Sequence, residues 1–231
     1  MNKDMNIKLQ NVTIKLKTIK PYKPSFLTEL LGNNIEIKKN SIIADVGTGC
    51  GILAILVSKL GAKKVYAIDV DKECEKSIKI NSKANNVKNI IFLQGSMLKP
   101  LKEKVDIVIA NLPQTPSNKK IDFHRYGAPD GIRYNAELIK NAPKHLKKNG
   151  VIFFSLMSIS NPLKILKLLK NKYKFDIVAV KERKLESKRY DKLSRGLSNY
   201  ILELNKKNKA ILYFRNKEWY YVNYIIKATS K

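Results

Sequence analysis

The chain has 231 residues, of which 44% are hydrophobic and 28% charged, a composition that excludes wholesale disorder and suffices for one buried core. No apolar stretch approaches the roughly 20 residues of a membrane-spanning helix, and no basic-then-apolar signal sequence opens the chain, so we expect a cytoplasmic protein without membrane contact. The two cysteines, Cys50 and Cys74, are too few for a disulfide framework or a metal site, and we expect no metal.

A net charge of +27 results from 46 Lys and Arg residues against 19 Asp and Glu residues. Such an excess attracts nucleic acid or another acidic partner, so contact with RNA is a candidate function of the surface. However, arginine occurs at only six positions, and the abundant lysine is accompanied by asparagine and isoleucine. The codon usage of an AT-rich genome produces the same mixture without any functional demand, and both explanations stay open.

The hydrophobic pattern alternates between strands and helices. It predicts a short strand at 11–19 and, after two prolines, a short helix at 25–31. The pattern then predicts, in chain order, a buried strand at 42–46, a glycine turn, an apolar helix at 51–60 and a strand at 64–70. The next helix is capped by Asp71 and directs Cys74, Ile78 and Ala84 inwards. Two strands at 89–93 and 105–110 follow it.

The second half of the chain continues the alternation. A helix is predicted at 132–147, bent near Pro143 and ended before Gly150, and a strand at 151–156 follows it. The remaining elements are a helix at 162–170, a strand at 174–180, a helix at 190–207 and a hairpin over 210–229 that turns near Asn216 and Lys217.

Strands that alternate with helices at this spacing predict an α/β fold with a doubly wound, mostly parallel sheet and an antiparallel C-terminal hairpin at its edge. Ligands of such sheets bind at the carboxyl ends of the strands. We expect a single domain over 1–231. Within it, 1–40 form a strand and a helix that cover the site, 41–156 form the ligand-binding core, and 157–231 complete the sheet.

The segment "IIADVGTGCGILAI" (42–55) contains three closely spaced glycines after a buried strand. A dinucleotide-binding turn requires its third glycine at position 52, which is Ile52, so the turn predicts a bulkier and less anionic ligand than a pyrophosphate. Asp69 ends the next strand, where a carboxylate accepts both hydroxyls of a ribose. Together these features predict a nucleoside pocket, and the alternative is a tight turn beside a surface aspartate.

From about residue 20 to 156 the chain resembles the class I S-adenosylmethionine-dependent methyltransferases, through "DVGTGCGILAI" and "VYAIDVD". The resemblance implies a seven-stranded Rossmann-like sheet and S-adenosylmethionine as the cofactor. By the same resemblance, the methionine part is held by Asp45 and by the glycine turn, which consists of Gly47, Thr48, Gly49, Cys50 and Gly51. The ribose is held by Asp69 with Val70, and the adenine by Ser96 with Met97. Ser96 stands where many relatives carry an acid.

The strand at 105–110 ends in Asn111, Leu112, Pro113 and Gln114, which resemble the Asn-Pro-Pro-aromatic motif of amino-group and amide methyltransferases. There the Asn side chain, which also borders the cofactor, and the next carbonyl accept hydrogen bonds from the target nitrogen. The resemblance implies this role for Asn111 and for the carbonyl at position 112. Gln114 replaces the stacking aromatic residue and either binds substrate or closes the turn.

Three residues of the following loop are also candidates for the site. Phe123 and Tyr126 either replace the missing aromatic residue or pack within the loop. His124 either takes a proton or touches substrate, or it is simply solvated.

Two segments, "PSFLTELL" and "GAPDGIRYNAELIKNAPKHLKKNG", are similar to release-factor glutamine methyltransferases, and "KLGAKKVYAIDVD" is similar to ribosomal protein L11 methyltransferases. The separate substrate-recognition domains of these families have no counterpart in the sequence. The similarity implies methyl transfer to a nitrogen of a protein side chain. The alternatives are an RNA-base methyltransferase that uses the basic stretch at 181–195, a small-molecule N- or O-methyltransferase, and a non-catalytic cofactor-binding subunit.

Overall fold

The chain forms two structural units. At the centre of the first unit are parallel strands, one of which leads into the glycine turn and another of which ends at Asp69. The computed structural model describes residues 5–231, and this unit comprises the chain through Asn111 together with Asn141–Phe153 and Thr229–Lys231. Its complete strands are β1 (Met5–Leu9), β2 (Val12–Leu16), β3 (Ile42–Val46), β4 (Lys64–Asp69), β5 (Ile90–Gln94) and β6 (Val105–Ala110). Its helices are α1 (Phe26–Gly32), α2 (Ile52–Lys59) and α3 (Glu73–Ala84).

The sheet of the first unit runs in the order β5-β4-β3-β6 and continues to β7 (Leu146–Met157), which begins in this unit. Strand β3 pairs in parallel with both β4 and β6, and β4 pairs in parallel with β5. Because the strands are parallel, their carboxyl ends meet at one edge, where the glycine turn follows β3 and Asn111 follows β6. The apolar helix α2 is buried from Ile52 to Val57, as its sequence predicts.

The N-terminal hairpin pairs β1 with β2 in antiparallel register. The predicted strand at 11–19 is confirmed as β2, whereas β1 is an addition to the prediction. The alternation of Met5, Ile7 and Leu9 is too short to distinguish a strand from a loop without its partner.

The second unit comprises Leu112–Lys140 and Phe154–Ala228. Its helices are α4 (Arg133–Asn141), α5 (Pro162–Lys172), α6 (Ser187–Asp191) and α7 (Leu197–Lys206). Its strands are the end of β7, β8 (Tyr173–Lys184), β9 (Leu212–Arg215) and β10 (Glu218–Ser230), in the order β7-β10-β8 with β9 paired to β10.

The predicted C-terminal hairpin is confirmed. Strands β9 and β10 pair in antiparallel register, and Asn216 and Lys217 form the turn with φ of 49° and 62°. The predicted sheet class is confirmed as well. Within the described part of the chain, the sheet has eight strands instead of the expected seven. The additional strand is β9, which has four residues and pairs with the longer β10.

Two predicted helices are shorter than expected. Helix α4 ends at Asn141, a 3-10 turn covers Ala142–Lys144, and β7 already begins at Leu146, inside the helix predicted to reach 147. Pro143 lacks the backbone donor that a continuing helix requires, so the chain leaves the helix there.

The helix predicted at 190–207 is interrupted between α6 and α7. Gly196 adopts φ of 80° at the N-cap of α7, and the carboxylate of Asp191 accepts hydrogen bonds from the amide and the hydroxyl of Ser198 at 2.9 Å each. These contacts begin a new helix rather than continue the preceding one.

None of the helices within residues 5–231 combines the length and apolar character that crossing a bilayer requires. Over the same range, no group of three or more His, Cys, Asp and Glu side chains is arranged to hold a metal ion.

Candidate cofactor and methyl-transfer site

The glycine turn between β3 and α2 requires glycine at three positions. Gly47, Gly49 and Gly51 adopt φ of 71°, 56° and 83°, in the left-handed region that side chains disfavour. The amides of Gly47 and Thr48 donate to the carbonyl oxygen of Ile68 at 2.8 and 3.1 Å. These bonds attach the turn to the end of β4 and leave a surface of bare backbone beside it.

Asp45 is a buried carboxylate directly below the turn, 1% exposed. Its Oδ2 accepts a hydrogen bond from the Thr48 hydroxyl at 2.7 Å, whereas its Oδ1 has no hydrogen-bond partner among the described residues. Burial raises the pKa of Asp45 to about 7, against the lowering effects of the Thr48 hydroxyl and of the Ala54 backbone amide. A buried oxygen without a partner is costly, so this position suits a donor or a cation supplied by a ligand.

Asp69 ends β4 beside the same turn. Its Oδ2 accepts from the Gly49 amide at 3.0 Å, and its Oδ1 accepts from the Asp71 amide at 3.1 Å. The Tyr22 hydroxyl donates to Asp71 Oδ2 at 2.6 Å, and burial together with Asp71 raises the pKa of Tyr22. A Cβ at Gly49 would lie 3.7 Å from the Tyr22 side chain, so Tyr22 borders the turn.

Asn81 of α3 supports the turn from below and is fully buried. Its Nδ2 donates to the carbonyl oxygens of Cys50 and Thr18 at 2.9 Å each, and its Oδ1 accepts from the Thr18 amide at 3.2 Å. Burial raises the pKa of the Cys50 thiol to about 12, which keeps it neutral. The sequence prediction missed both Asn81 and Tyr22, because nothing local distinguishes them from solvated polar residues.

The segment predicted to flank adenine continues from β5. The Gly95 amide donates to the Asp69 carbonyl oxygen at 2.8 Å, which places this segment beside the end of β4. Met97 is buried with φ of 56°, a strained conformation for a residue with a side chain. Val70 is 54% exposed, and Ser96 is half-buried between Gly95 and Met97.

Asn111 follows β6, whose Ala110 lies opposite Val46 of β3. This register places Asn111 next to the start of the glycine turn. Its Nδ2 donates to the hydroxyls of Ser25 and Thr28, at 3.2 and 2.9 Å, at the beginning of α1. The first unit thus brings Asp45, the glycine turn, Asp69 and Asn111 to one edge of the sheet.

Leu112, Pro113 and Gln114 belong to the second unit. Leu112 and Gln114 are buried, and Pro113 is half-buried. The Gln114 Nε2 donates to the Ser155 hydroxyl at 3.0 Å, and its Oε1 accepts from the Met157 amide at 2.7 Å. Gln114 is expected from the sequence either to bind substrate or to close the turn, and these contacts with Ser155 and Met157 favour closure of the turn.

The loop after Gln114 folds against its own beginning. Gly127 has no room for a side chain, because a Cβ there would lie 2.6 Å from Gln114 Cα. Tyr126 forms a β-bridge with Thr115. The rings of Phe123 and His124 have centroids 3.5 Å apart and planes inclined by 51°, and Phe123 is 57% exposed.

Comparisons with known proteins relate the chain to methyltransferases. A family model of ribosomal protein L11 methyltransferases (PrmA) matches residues 27–119. A putative protein N5-glutamine methyltransferase of Methanocaldococcus jannaschii is 31% identical over 172 residues, which cover 72% of this chain and 86% of that protein. The ribosomal protein L11 methyltransferase of Caldanaerobacter subterraneus subsp. tengcongensis is 31% identical over 137 residues, 59% of this chain and 44% of that protein.

The chain therefore spans less than half the length of this L11 methyltransferase. Among solved structures, a T. thermophilus 16S rRNA N2 G1207 methyltransferase in complex with AdoMet and guanosine shares the fold, with a TM-score of 0.61 and 15% identity over 99% of this chain and 50% of that chain. The chain belongs to the class I S-adenosylmethionine-dependent methyltransferases. The predicted family, fold class and enzyme class are thereby confirmed.

Proposed function

We propose that the protein transfers a methyl group from S-adenosylmethionine to a nitrogen of a protein side chain, with an amide of the glutamine type as the first candidate. The observation that carries the proposal is the position and orientation of Asn111, whose Nδ2 is committed to Ser25 and Thr28. Its Oδ1 therefore lies on the other side of the amide, as an acceptor for a nitrogen that carries hydrogen. The N5-glutamine methyltransferase relative supports this acceptor class.

The residues at the edge of the first unit fit the cofactor. The unpartnered Asp45 Oδ1 would receive the ammonium group of the methionine part, and the backbone of Gly47, Gly49 and Gly51 leaves room beside it. Asp69 and Val70 would hold the ribose, and Ser96 and Met97 would flank the adenine. When bound, S-adenosylmethionine supplies an electrophilic methyl group on its sulfonium.

The contribution of the protein is positioning. Transfer from a sulfonium would be an in-line displacement, which requires the acceptor nitrogen close to the methyl carbon and aligned with the breaking carbon–sulfur bond. The electron pair of that bond would stay with the sulfur, which leaves as a neutral thioether, and the methylated nitrogen would release one proton to water. Hydrogen bonds to the Asn111 Oδ1 and to the Leu112 carbonyl would hold the two hydrogens of an amide nitrogen and so direct its lone pair. The lone pair of an amide is delocalised, which makes such an alignment more important than for an amine.

The acceptor class is tested with methyl-tritiated S-adenosylmethionine and dialysed extract of the source cells, separated into protein, RNA and small molecules. We expect label in the protein fraction. Label confined to RNA would support the RNA-base alternative and a functional basic surface, and label in small molecules would support a metabolite acceptor. Binding of the cofactor without any labelling would support the non-catalytic alternative.

The role of Asn111 is tested with Asn111→Ala under single-turnover conditions. We expect a loss of two or more orders of magnitude in the rate of transfer, with little change in cofactor affinity or thermal stability. Asn34→Ala is the matched control, because Asn34 is a half-buried asparagine whose Nδ2 donates to the Leu30 carbonyl oxygen at 2.8 Å away from the site. Near-normal transfer by a stable Asn111→Ala enzyme would contradict a nitrogen acceptor.

A further inference from the structure

Helix α1 begins with a reciprocal cap. The Ser25 Oγ accepts from the Thr28 amide at 3.2 Å, and the Thr28 Oγ1 accepts from the Ser25 amide at 3.1 Å. The two hydroxyl oxygens lie 3.0 Å apart. This arrangement satisfies backbone donors that the first turn of every helix leaves open, so it explains why the helix starts here.

The cap has a third member that helix formation does not require. The Asn111 Nδ2 donates to both cap hydroxyls, although Asn111 is 86 and 83 residues away in sequence. The same two hydroxyl oxygens accept from the backbone amides of Ser25 and Thr28 and are hydrogen-bonded to each other. Because Nδ2 donates to both of them, the Nδ2 end of the Asn111 amide faces α1.

We propose that Thr28, assisted by Ser25, is a positioning residue that orients the Asn111 amide for methyl transfer, an inference that rests on the function proposed above. Thr28 makes the shorter bond to Asn111 and is buried, whereas Ser25 is exposed and bonds at 3.2 Å. The Thr28 hydroxyl oxygen is also held in place by the Ser25 amide, from which it accepts at 3.1 Å. Thr28 is therefore the stronger of the two constraints.

The consequence for catalysis is specific. Without the cap hydroxyls, the Asn111 amide loses both of these contacts, and its acceptor oxygen is held less firmly relative to the target nitrogen. Small misplacements of reacting groups reduce rates by up to about a hundredfold. Loss of the Thr28 hydroxyl should reduce the rate of transfer roughly tenfold or more, while leaving cofactor affinity unchanged, because Asp45 and Asp69 are untouched.

The test compares single-turnover transfer to the labelled protein fraction in four variants. Thr28→Val removes the hydroxyl at nearly constant volume, and Thr28→Ser restores it. Glu29→Gly weakens the same helix at an exposed position by about 1 kcal/mol without touching Asn111, and so controls for helix stability. Thr28→Val combined with Asn111→Ala determines whether Thr28 acts through Asn111.

We expect slow transfer by Thr28→Val, recovery by Thr28→Ser, near-normal transfer by Glu29→Gly, and a double variant no slower than Asn111→Ala alone. Normal transfer by Thr28→Val would overturn the inference. Equal losses in Thr28→Val and Glu29→Gly, or a full additional loss in the double variant, would overturn it as well, because the effect would then be structural or independent of Asn111.

A second measurement separates this inference from the proposed function. In the ¹⁵N-labelled protein, the Asn111 side-chain amide signals are assigned by their loss in Asn111→Ala, and their exchange with solvent is then followed. Thr28→Val should shift these signals and accelerate their exchange, whereas Glu29→Gly should leave them in place. Unchanged signals in Thr28→Val would contradict the positioning contact even if Asn111 is essential, and normal transfer by Asn111→Ala would contradict the proposed function instead.

Discussion

The Asp69 carboxylate accepts a hydrogen bond from the Gly49 amide at 3.0 Å, across the ends of two neighbouring strands. Asp69 thus connects the end of β4 to the middle of the glycine turn, and its other oxygen accepts from the Asp71 amide. The residue expected to bind ribose therefore also shapes the turn expected to hold the methionine part. One side chain supports both halves of the proposed cofactor site.

Replacement of Asp69 by Ala should weaken binding of S-adenosylmethionine tenfold or more. Hydrogen bonds to a charged group contribute about 1.5–3 kcal/mol each, and the variant removes the acceptor of the ribose hydroxyls together with the support of Gly49. Calorimetric titration of the folded variant measures the effect.

Asp106→Ala is the control for Asp69→Ala. Its Oδ2 accepts from the Ile42 amide at 2.7 Å and from Lys147 Nζ at 2.9 Å, so it resembles Asp69 in supporting backbone but lies at the beginning of β6. We expect this variant to lose stability and to retain cofactor affinity. Unchanged affinity in Asp69→Ala would remove the assignment of the ribose site.

The buried Asp45 should make stability depend on pH. Its pKa is about 7 in the folded protein, raised from 3.8 by burial, so the folded state holds a proton that the unfolded chain has already released. Its contribution to stability is complete below pH 4 and is lost as pH rises to about 7, at up to roughly 1.4 kcal/mol per pH unit. Above that pH the loss is constant.

Denaturant unfolding of the wild type and of Asp45→Asn between pH 4 and 8 measures this contribution. The introduced amide would still accept from the Thr48 hydroxyl but would not titrate, so the advantage of the variant should increase with pH and then level off. Saturating S-adenosylmethionine should reduce the slope in the wild type, because the ligand would stabilise the ionised carboxylate. A difference between the two proteins that is the same at every pH would contradict the raised pKa.

Gly51 and Gly196 provide a matched test of the close packing under the turn. Both are N-cap residues, with φ of 83° and 80°, but a Cβ at Gly51 would lie 2.9 Å from Ile78 Cγ1, whereas one at Gly196 has no described neighbour within 4 Å. Gly196→Ala should cost about 1–2 kcal/mol of unfolding free energy for the backbone conformation alone. Gly51→Ala should cost about 1–3 kcal/mol more, because it also overpacks the core.

Chemical denaturation of both glycine variants measures these costs. Ile78→Ala should cost less stability in the Gly51→Ala background than in the wild type, and this difference in a double-mutant cycle identifies the contact responsible. Equal losses at the two glycines would show that Ile78 yields without cost, and the close packing would then not explain Gly51.

Much of the fold could be predicted because the information is local. The alternation of apolar residues placed β3, α2, β4 and β6 close to their observed bounds, and the turn required glycine wherever φ is positive. Element ends were less predictable. The early start of β7 at Leu146 depends on pairing with a neighbouring strand, and a sequence window does not contain that neighbour.

The sequence by itself determined the class of fold through its alternation of strands and helices. It also determined that the glycine turn, Asp69 and Asn111 lie at strand ends, because each of them directly follows or ends a recognisable apolar segment. Only the tertiary structure decided that Asn81 donates to the Cys50 carbonyl in the turn, that Tyr22 donates to Asp71 and that Thr28 bonds to Asn111. These contacts join residues 31, 49 and 83 positions apart. A polar side chain has the same local pattern whether it meets water or a distant partner, and only the folded chain distinguishes the two.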